Sequence, residues 1–162
     1  MNTNSVDFFK SEPVKTIPEN CELILAAWKI KNPENMGQII RLGQNIGAKN
    51  ILFIDDNKNR RESKIKKTAG FSYEQQKWEI INEDTFSTLL NHKYNLVILE
   101  TCEGSANIFK TKFPQKIILL GGNESHGLPH EIISKSDLKV YIPMPGECKS
   151  MNISHALTTA SF

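Results

Sequence analysis

Long apolar runs are missing from this chain. Its apolar runs, such as "ILFI" (51–54) and "IILL" (117–120), fall far below bilayer length, and the polar start "MNTNSVDFFKSEPVKTIPEN" lacks the apolar centre of a secretory signal. No membrane association is expected. Cysteine is scarce as well: Cys21, Cys102 and Cys148 are an odd, widely spaced set with no CxxC pair. That pattern argues against a disulfide framework or a zinc ribbon, and it predicts a reducing, cytoplasmic setting. There is no GxGxxG, and the glycine-rich "GGNESHG" lacks the Lys-Ser/Thr with which a triphosphate loop reaches phosphate and magnesium, so dinucleotide and NTPase readings lose support. Charge of one sign is not in large excess either. A net charge of +2 permits a nucleic-acid partner without demanding one, and the distribution of charge has to decide.

What is present suits one globular domain: 162 residues, 39% of them hydrophobic, can bury one substantial core but not two. Residues 1–20 are polar, carry Pro13 and Pro18 and show no sustained period, so they read as an arm, with the domain proper over 21–162. From there strand and helix patterns alternate. "CELILAAWKI", "NILFID", "KWEII", "NLVILE", "QKIILLGG" and "LKVYIP" read as strands. "GQIIRLGQNIGA", "DTFSTLLNHK" (with Asp84 or Thr85 as cap), "GLPHEIISKS" and "NISHALTTASF" read as helices. Apolar strands without alternation, separated by helices, predict an α/β fold with a mainly parallel sheet flanked by helices.

Ligands of open parallel sheets bind beyond the carboxyl ends of the strands. Three loops there carry unusual residues: "NPENMGQIIR", "GGNESHGL" and "IPMPGECKSMN". Turn geometry alone explains Gly121, Gly122 and Gly127, but not Glu124 inside the same loop. Arg41 shares a helical face with Gln38 and Asn45, which by itself describes a solvated polar face. Asn35 stands near the start of that helix, where it can cap amides or meet an anion.

Taken together and in order, "NPENMGQIIRLGQNIGA", "LLGGNESHGLP" and "IPMPGECKSMNIS" resemble motifs one, two and three of the SpoU (TrmH-like) branch of the SPOUT RNA methyltransferases. The family's Asn, Gly and Arg fall on Asn35, Gly37 and Arg41, and its Gly-Asn-Glu on Gly122, Asn123 and Glu124. Its Ile-Pro-Met falls on Ile142, Pro143 and Met144, and its Ser-Leu-Asn on Ser150, Met151 and Asn152. Met for Leu at 151 conserves volume. Within the family, "IIRLGQNIGA" and "SMN" look closest to compact tRNA enzymes that act on the anticodon wobble nucleotide.

The resemblance implies methyl transfer from S-adenosyl-L-methionine to a ribose 2′-hydroxyl, a C-terminal deep trefoil knot and a homodimer. Knots are rare, and no periodicity argument predicts one. The cofactor residues it implies are Leu99, Glu100, Thr101, Gly121, Gly122, Ile142, Met144, Ser150 and Met151. Those at the reaction centre are Arg41, Asn35, Glu124, Ser150 and Asn152. Arg41 is permanently protonated and has no acceptor, which suits a phosphate grip or a developing alkoxide better than proton abstraction. Members carry their final helix farther than Met151–Phe162, which gives about 18 Å of helix, so a reduced interface, a contribution from the arm and a truncated chain all stay open.

The densest charge, "KNRRESKIKK", holds Lys58, Arg60, Arg61, Lys64, Lys66 and Lys67 against Glu62 alone. A charge run is commonly a solvated loop, but its position after the second strand, on the side of Arg41, favours phosphate contacts with RNA. His126 and His130, with Pro129 between them and no third ligand, give no expected metal site. The expectation is a tRNA 2′-O-methyltransferase. Ribosomal RNA as the substrate, or a non-catalytic RNA-binding or assembly protein on the same fold, are its competitors.

Overall fold

The computed structural model describes residues 4–12, 14, 17–57, 59–90, 93–123 and 125–162. Glu124 and Lys58, both expected to be functional, lie outside the described residues. In chain order the elements are helix α1 (Ser5–Ser11), strand β1 (Glu22–Trp28), α2 (Pro33–Ile46), β2 (Asn50–Ile54), α3 (Glu62–Ala69), α4 (Ser72–Gln75), β3 (Trp78–Ile81) and α5 (Glu83–Leu89). They continue with β4 (Asn95–Leu99), β5 (Ala106–Asn107), a 3-10 turn (Ile108–Lys110), β6 (Lys116–Gly121), α6 (His130–Lys135), β7 (Leu138–Tyr141) and α7 (Ile153–Ser161). The strands form one sheet in the order β3-β2-β1-β6-β4-β7-β5, and every pairing is parallel.

The six expected strands are present, and their unbroken apolarity has the expected cause. In β1, Leu25 and Ala27 enter the core beneath α2, α3 and α7, while Ile24, Ala26 and Trp28 enter the opposite core with Phe86 of α5 and Ile132 of α6. Period-two alternation is invisible when both faces are buried. No helix among the described residues is long and apolar enough to cross a membrane.

Local chemistry sets the helix ends. Asn32 accepts from the Glu34 N–H at 2.8 Å, Pro33 takes the first turn, and Gly47 closes α2 in the left-handed region at φ 73°. The cap of α5 is Asn82, which accepts from the Thr85 N–H at 2.8 Å, not Asp84 or Thr85 as the sequence suggested. Asn82 stands one residue after β3, and only its extended backbone (φ −81°, ψ 171°) marks it as the junction.

The basic run is the larger departure. Residues 62–69 form α3, with Ile65 and Ala69 buried one turn apart against α2. Its contact with α2 is close: a Cβ on Gly37 would lie 2.6 Å from Thr68 Cβ and 2.7 Å from the Ile65 carbonyl oxygen. The residues read as a polar arm include α1, capped by Asn4 and burying none of its side chains.

Substituting Gly37→Ala should therefore lower the unfolding free energy by about 1–3 kcal/mol, because backbone as well as side chain would have to move. Urea denaturation checks this; an unchanged midpoint would mean that α3 yields freely.

Candidate active site

The carboxyl ends of β6, β4 and β7 lie side by side, and a cleft of about 220 Å³ opens above them. All nine residues expected to hold the cofactor line it: Leu99, Glu100, Thr101, Gly121, Gly122, Ile142, Met144, Ser150 and Met151. They come from three separate stretches of chain, brought together by the strand order alone. Leu99 and Gly121 are directly paired in register, and the Glu100 N–H donates to the Val140 carbonyl at 2.9 Å.

The loop after β6 forms one wall. Asn123 and Gly127 pair backbone to backbone, N to O at 3.2 and 2.8 Å, with Gly127 at φ 64°. The Asn123 side chain fixes this turn twice over: its amide donates to the Lys29 carbonyl at 2.7 Å, and its oxygen accepts from the Ser125 and His126 N–H groups at 2.8 and 3.2 Å. Gly122 leaves no room for a side chain, since a Cβ there would sit 2.7 Å from the Gly127 carbonyl carbon. Glu100 braces the turn from the other side by accepting from the Leu128 N–H at 3.2 Å and the Thr101 N–H at 2.9 Å. It is the only carboxylate among the described lining residues, and its oxygens already serve as backbone acceptors.

The loop after β7 forms the other wall. Lys149 donates to the Met144 carbonyl at 2.7 Å, folding the loop on itself, while Ser150 and Met151 face the cleft. Asn152 then caps α7 by accepting from the Ser154 N–H at 2.9 Å. Its amide donates to Asn35 Oδ1 at 3.1 Å, a contact between residues 117 apart in sequence. Ser154, 3% exposed, donates to Gln38 Oε1 at 2.5 Å, so the start of α7 is stitched to α2 by two polar bonds. Asn35 is itself 4% exposed.

Of the residues expected at the reaction centre, Asn35 and Asn152 meet at this junction, while Ser150 lines the cleft two residues before Asn152. Arg41, like Asn35 and Asn152, is not among the lining residues. It lies on the exposed face of α2, about 9 Å of helix rise beyond Asn35, and among the described residues nothing hydrogen-bonds or pairs with it. The expected RNA contacts divide as well. Arg61, Lys64, Lys66 and Lys67 are exposed, but Lys66 pairs with Glu74 at 3.0 Å and sits over the Tyr73 ring. The Arg60 side chain is largely buried and pairs with Asp55.

Sequence reasoning omitted several lining residues. Asn123 and Lys149 stand inside quoted motifs and were legible as polar residues in glycine- or proline-rich loops. Tyr141 and Ala156 had no such signal, since strand order brings the end of β7 to the cleft and the packing of α7 across the end of β6 brings Ala156 there.

Comparison with known proteins supplies a further line of evidence. The model of the SpoU rRNA Methylase family matches residues 22–162. The tRNA (guanosine(18)-2′-O)-methyltransferase of Saccharomyces cerevisiae is 30% identical over 156 residues, which cover 93% of this chain and 11% of that protein. The enzyme of the same name from Aquifex aeolicus is 27% identical over 140 residues, or 83% of this chain and 64% of that one. An AdoMet-bound rRNA methyltransferase from Sinorhizobium meliloti superposes with a TM-score of 0.81 at 22% identity, over 93% of this chain and 60% of that one. The chain thus spans less than two thirds of each of these proteins.

Replacing Asn152 with Ala removes both the α7 cap and the bond to Asn35. A loss of about 1–2 kcal/mol in urea unfolding is expected; wild-type stability in this variant would show that the junction is held by packing alone.

Proposed function

Because the chain belongs to the SpoU rRNA methylase family, we propose that it transfers a methyl group from S-adenosyl-L-methionine to a ribose 2′-hydroxyl of RNA, with tRNA the preferred substrate. The observation that carries this reading is the convergence of three distant loops on one cleft whose lining fits the cofactor. Leu99, Ile142 and Met151 offer apolar surface to a flat, uncharged adenine, with backbone groups of the same loops at its polar edges. The bare backbone at Gly122, where a Cβ has no room, allows close approach to the Asn123–Gly127 turn. The cofactor contributes a sulfonium methyl group, a good electrophile.

The protein's share is mainly positioning. Two reactants held in line give up translational freedom at binding and not at the barrier, an effect worth several kcal/mol at about 7 or more. Ser150 lines the cleft and Asn152 bonds to Asn35 of α2, and both are assigned to orienting the ribose. Arg41 is assigned to gripping a phosphate oxygen of the RNA or the alkoxide that develops on the 2′-oxygen. Its exposure, the absence of a partner among the described residues and its distance along α2 from the cleft favour the phosphate. Glu124 is assigned to fixing Arg41 or Asn35.

The exposed Arg61, Lys64 and Lys67 of the basic run supply RNA affinity in this reading. The names of the yeast and Aquifex relatives support tRNA over ribosomal RNA. The same reading includes a cytoplasmic homodimer that uses α2 and α7, a polar arm over 1–20, and a trefoil knot around β4, β6 and β7. The position of β4 between two strands that follow it in sequence supports the knot.

The deciding assay incubates the protein with labelled S-adenosyl-L-methionine and either total tRNA or ribosomal RNA, followed by nucleoside analysis. A 2′-O-methylated nucleoside from tRNA is expected; label in neither RNA would sink the reading. Arg41→Ala should lower turnover by at least about a hundredfold with cofactor affinity intact, and a variant that still turns over would remove Arg41 from its assigned role.

A further inference from the structure

A second cleft lies across the Asn123–Gly127 turn from the first. It encloses about 560 Å³ over the carboxyl ends of β1 and β2, with Trp28, Asp55, Asn57, Arg60 and His126 in its lining. Asn123 and Gly127 line both clefts, so this one turn is their common wall. Toward α3 the second cleft adjoins a smaller one lined by Lys31, Arg61 and Lys64, with Lys31 and Arg60 belonging to both. Cationic side chains therefore follow one another from α3 to the wall of the first cleft.

These cations differ in availability. Lys29, also in the lining, is taken up by Glu83 and by Asp56 at 4.0 Å. Lys31, Arg61 and Lys64 are exposed and have no ion-pair partner among the described residues. Arg60 is half satisfied: one terminal nitrogen pairs with Asp55, the other donates to the Asn59 carbonyl at 3.1 Å, and its Nε is buried without an acceptor among the described residues. A ligand that matches this surface has several anionic groups in a row and an acceptor-bearing unit that enters the cleft. A strand of RNA has that chemistry, whereas a free mononucleotide would engage one end only.

We propose that the second cleft seats an RNA nucleotide that flanks the methylated one, with its backbone phosphates on Lys31, Arg61 and Lys64. This rests on the RNA methyltransferase reading above. The shared wall sets the register: a nucleotide in the second cleft puts its neighbour in the strand at the mouth of the first. Selectivity for sequence around the target ribose then arises on this side of the turn.

The test uses the full chain and an unmodified tRNA transcript, with affinity measured across a salt series and cofactor affinity measured separately by calorimetry. Lys31→Glu alters an exposed side chain outside every hydrogen bond and ion pair described. It should weaken transcript binding by about tenfold or more and reduce the salt slope by about one, with cofactor affinity unchanged. Lys77→Glu makes the same charge change at an exposed side chain by the amino end of β3, away from both clefts, and should weaken binding much less. Equal losses in the two variants would overturn the proposal in favour of a diffuse electrostatic surface, as would Lys31→Glu binding within about twofold of wild type. With 4-thiouridine in the transcript, crosslinks should map to 55–61 and 123–127, and crosslinks confined to other segments would also overturn it. If the wild-type protein methylates no RNA, the underlying reading fails; if it does and Lys31→Glu behaves like wild type, only the second cleft does.

Discussion

The hydrogen bond from the Asn123 amide to the Lys29 carbonyl ties the loop after β6 to the end of β1, and both clefts depend on it. Lys29 has φ 47°, an unfavourable region for a residue with a side chain, so the chain leaving β1 is bent at the point where Asn123 grips it. From the other side Glu100 holds the Leu128 N–H, and Gly122 and Gly127 let the two backbones meet without side chains between them. One carboxamide and one carboxylate thus fix a wall at the ends of three neighbouring strands, β1, β6 and β4. Glu100 accepts from backbone N–H groups and Lys149 donates to the Met144 carbonyl, so the charged side chains described in the first cleft are engaged by its own backbone.

Helix α2 carries the second constraint. One side lies so close to α3 that Gly37 admits no Cβ, and the other receives Asn152 and Ser154 at the start of α7. The loop after β7 is therefore not free at its far end: its last residues are held against a helix that follows β1. Motif one and motif three, more than a hundred residues apart, become one junction through two side-chain bonds. The same helix presents Arg41 outward, beyond the cleft and on a surface that a polyanion can reach.

Local patterns made much of the fold legible. The six apolar strands read correctly because both faces of a parallel sheet are buried, and α2 because Ile39, Leu42 and Ile46 recur at helical spacing. Helix α3 did not read, since only Ile65 and Ala69 face the core amid six polar or charged residues, and a short basic amphipathic turn is indistinguishable from a solvated loop until its neighbour is known. The cap of α5 was misread for a related reason: Asn82, Asp84 and Thr85 can all accept an amide, and the backbone of the junction chose between them. The nine residues that share the first cleft were legible as a group only through the resemblance of three motifs, because nothing in spacing alone brings Leu99, Gly121 and Ser150 together.

The sequence by itself determined the strands and most of the helices, the three loops that carry chemistry and the family to which the chain belongs, since these follow from burial periodicity, turn residues and ordered motifs. Tertiary structure alone decided what those loops do to one another. Strand order set β4 between β6 and β7, made the Asn123–Gly127 turn a wall with a cleft on each side, and separated Arg41 from the junction where Asn35 meets Asn152. The physical reason is that such contacts join residues up to 117 positions apart, and their geometry depends on which strands pair and how closely helices can approach, which local pattern does not encode.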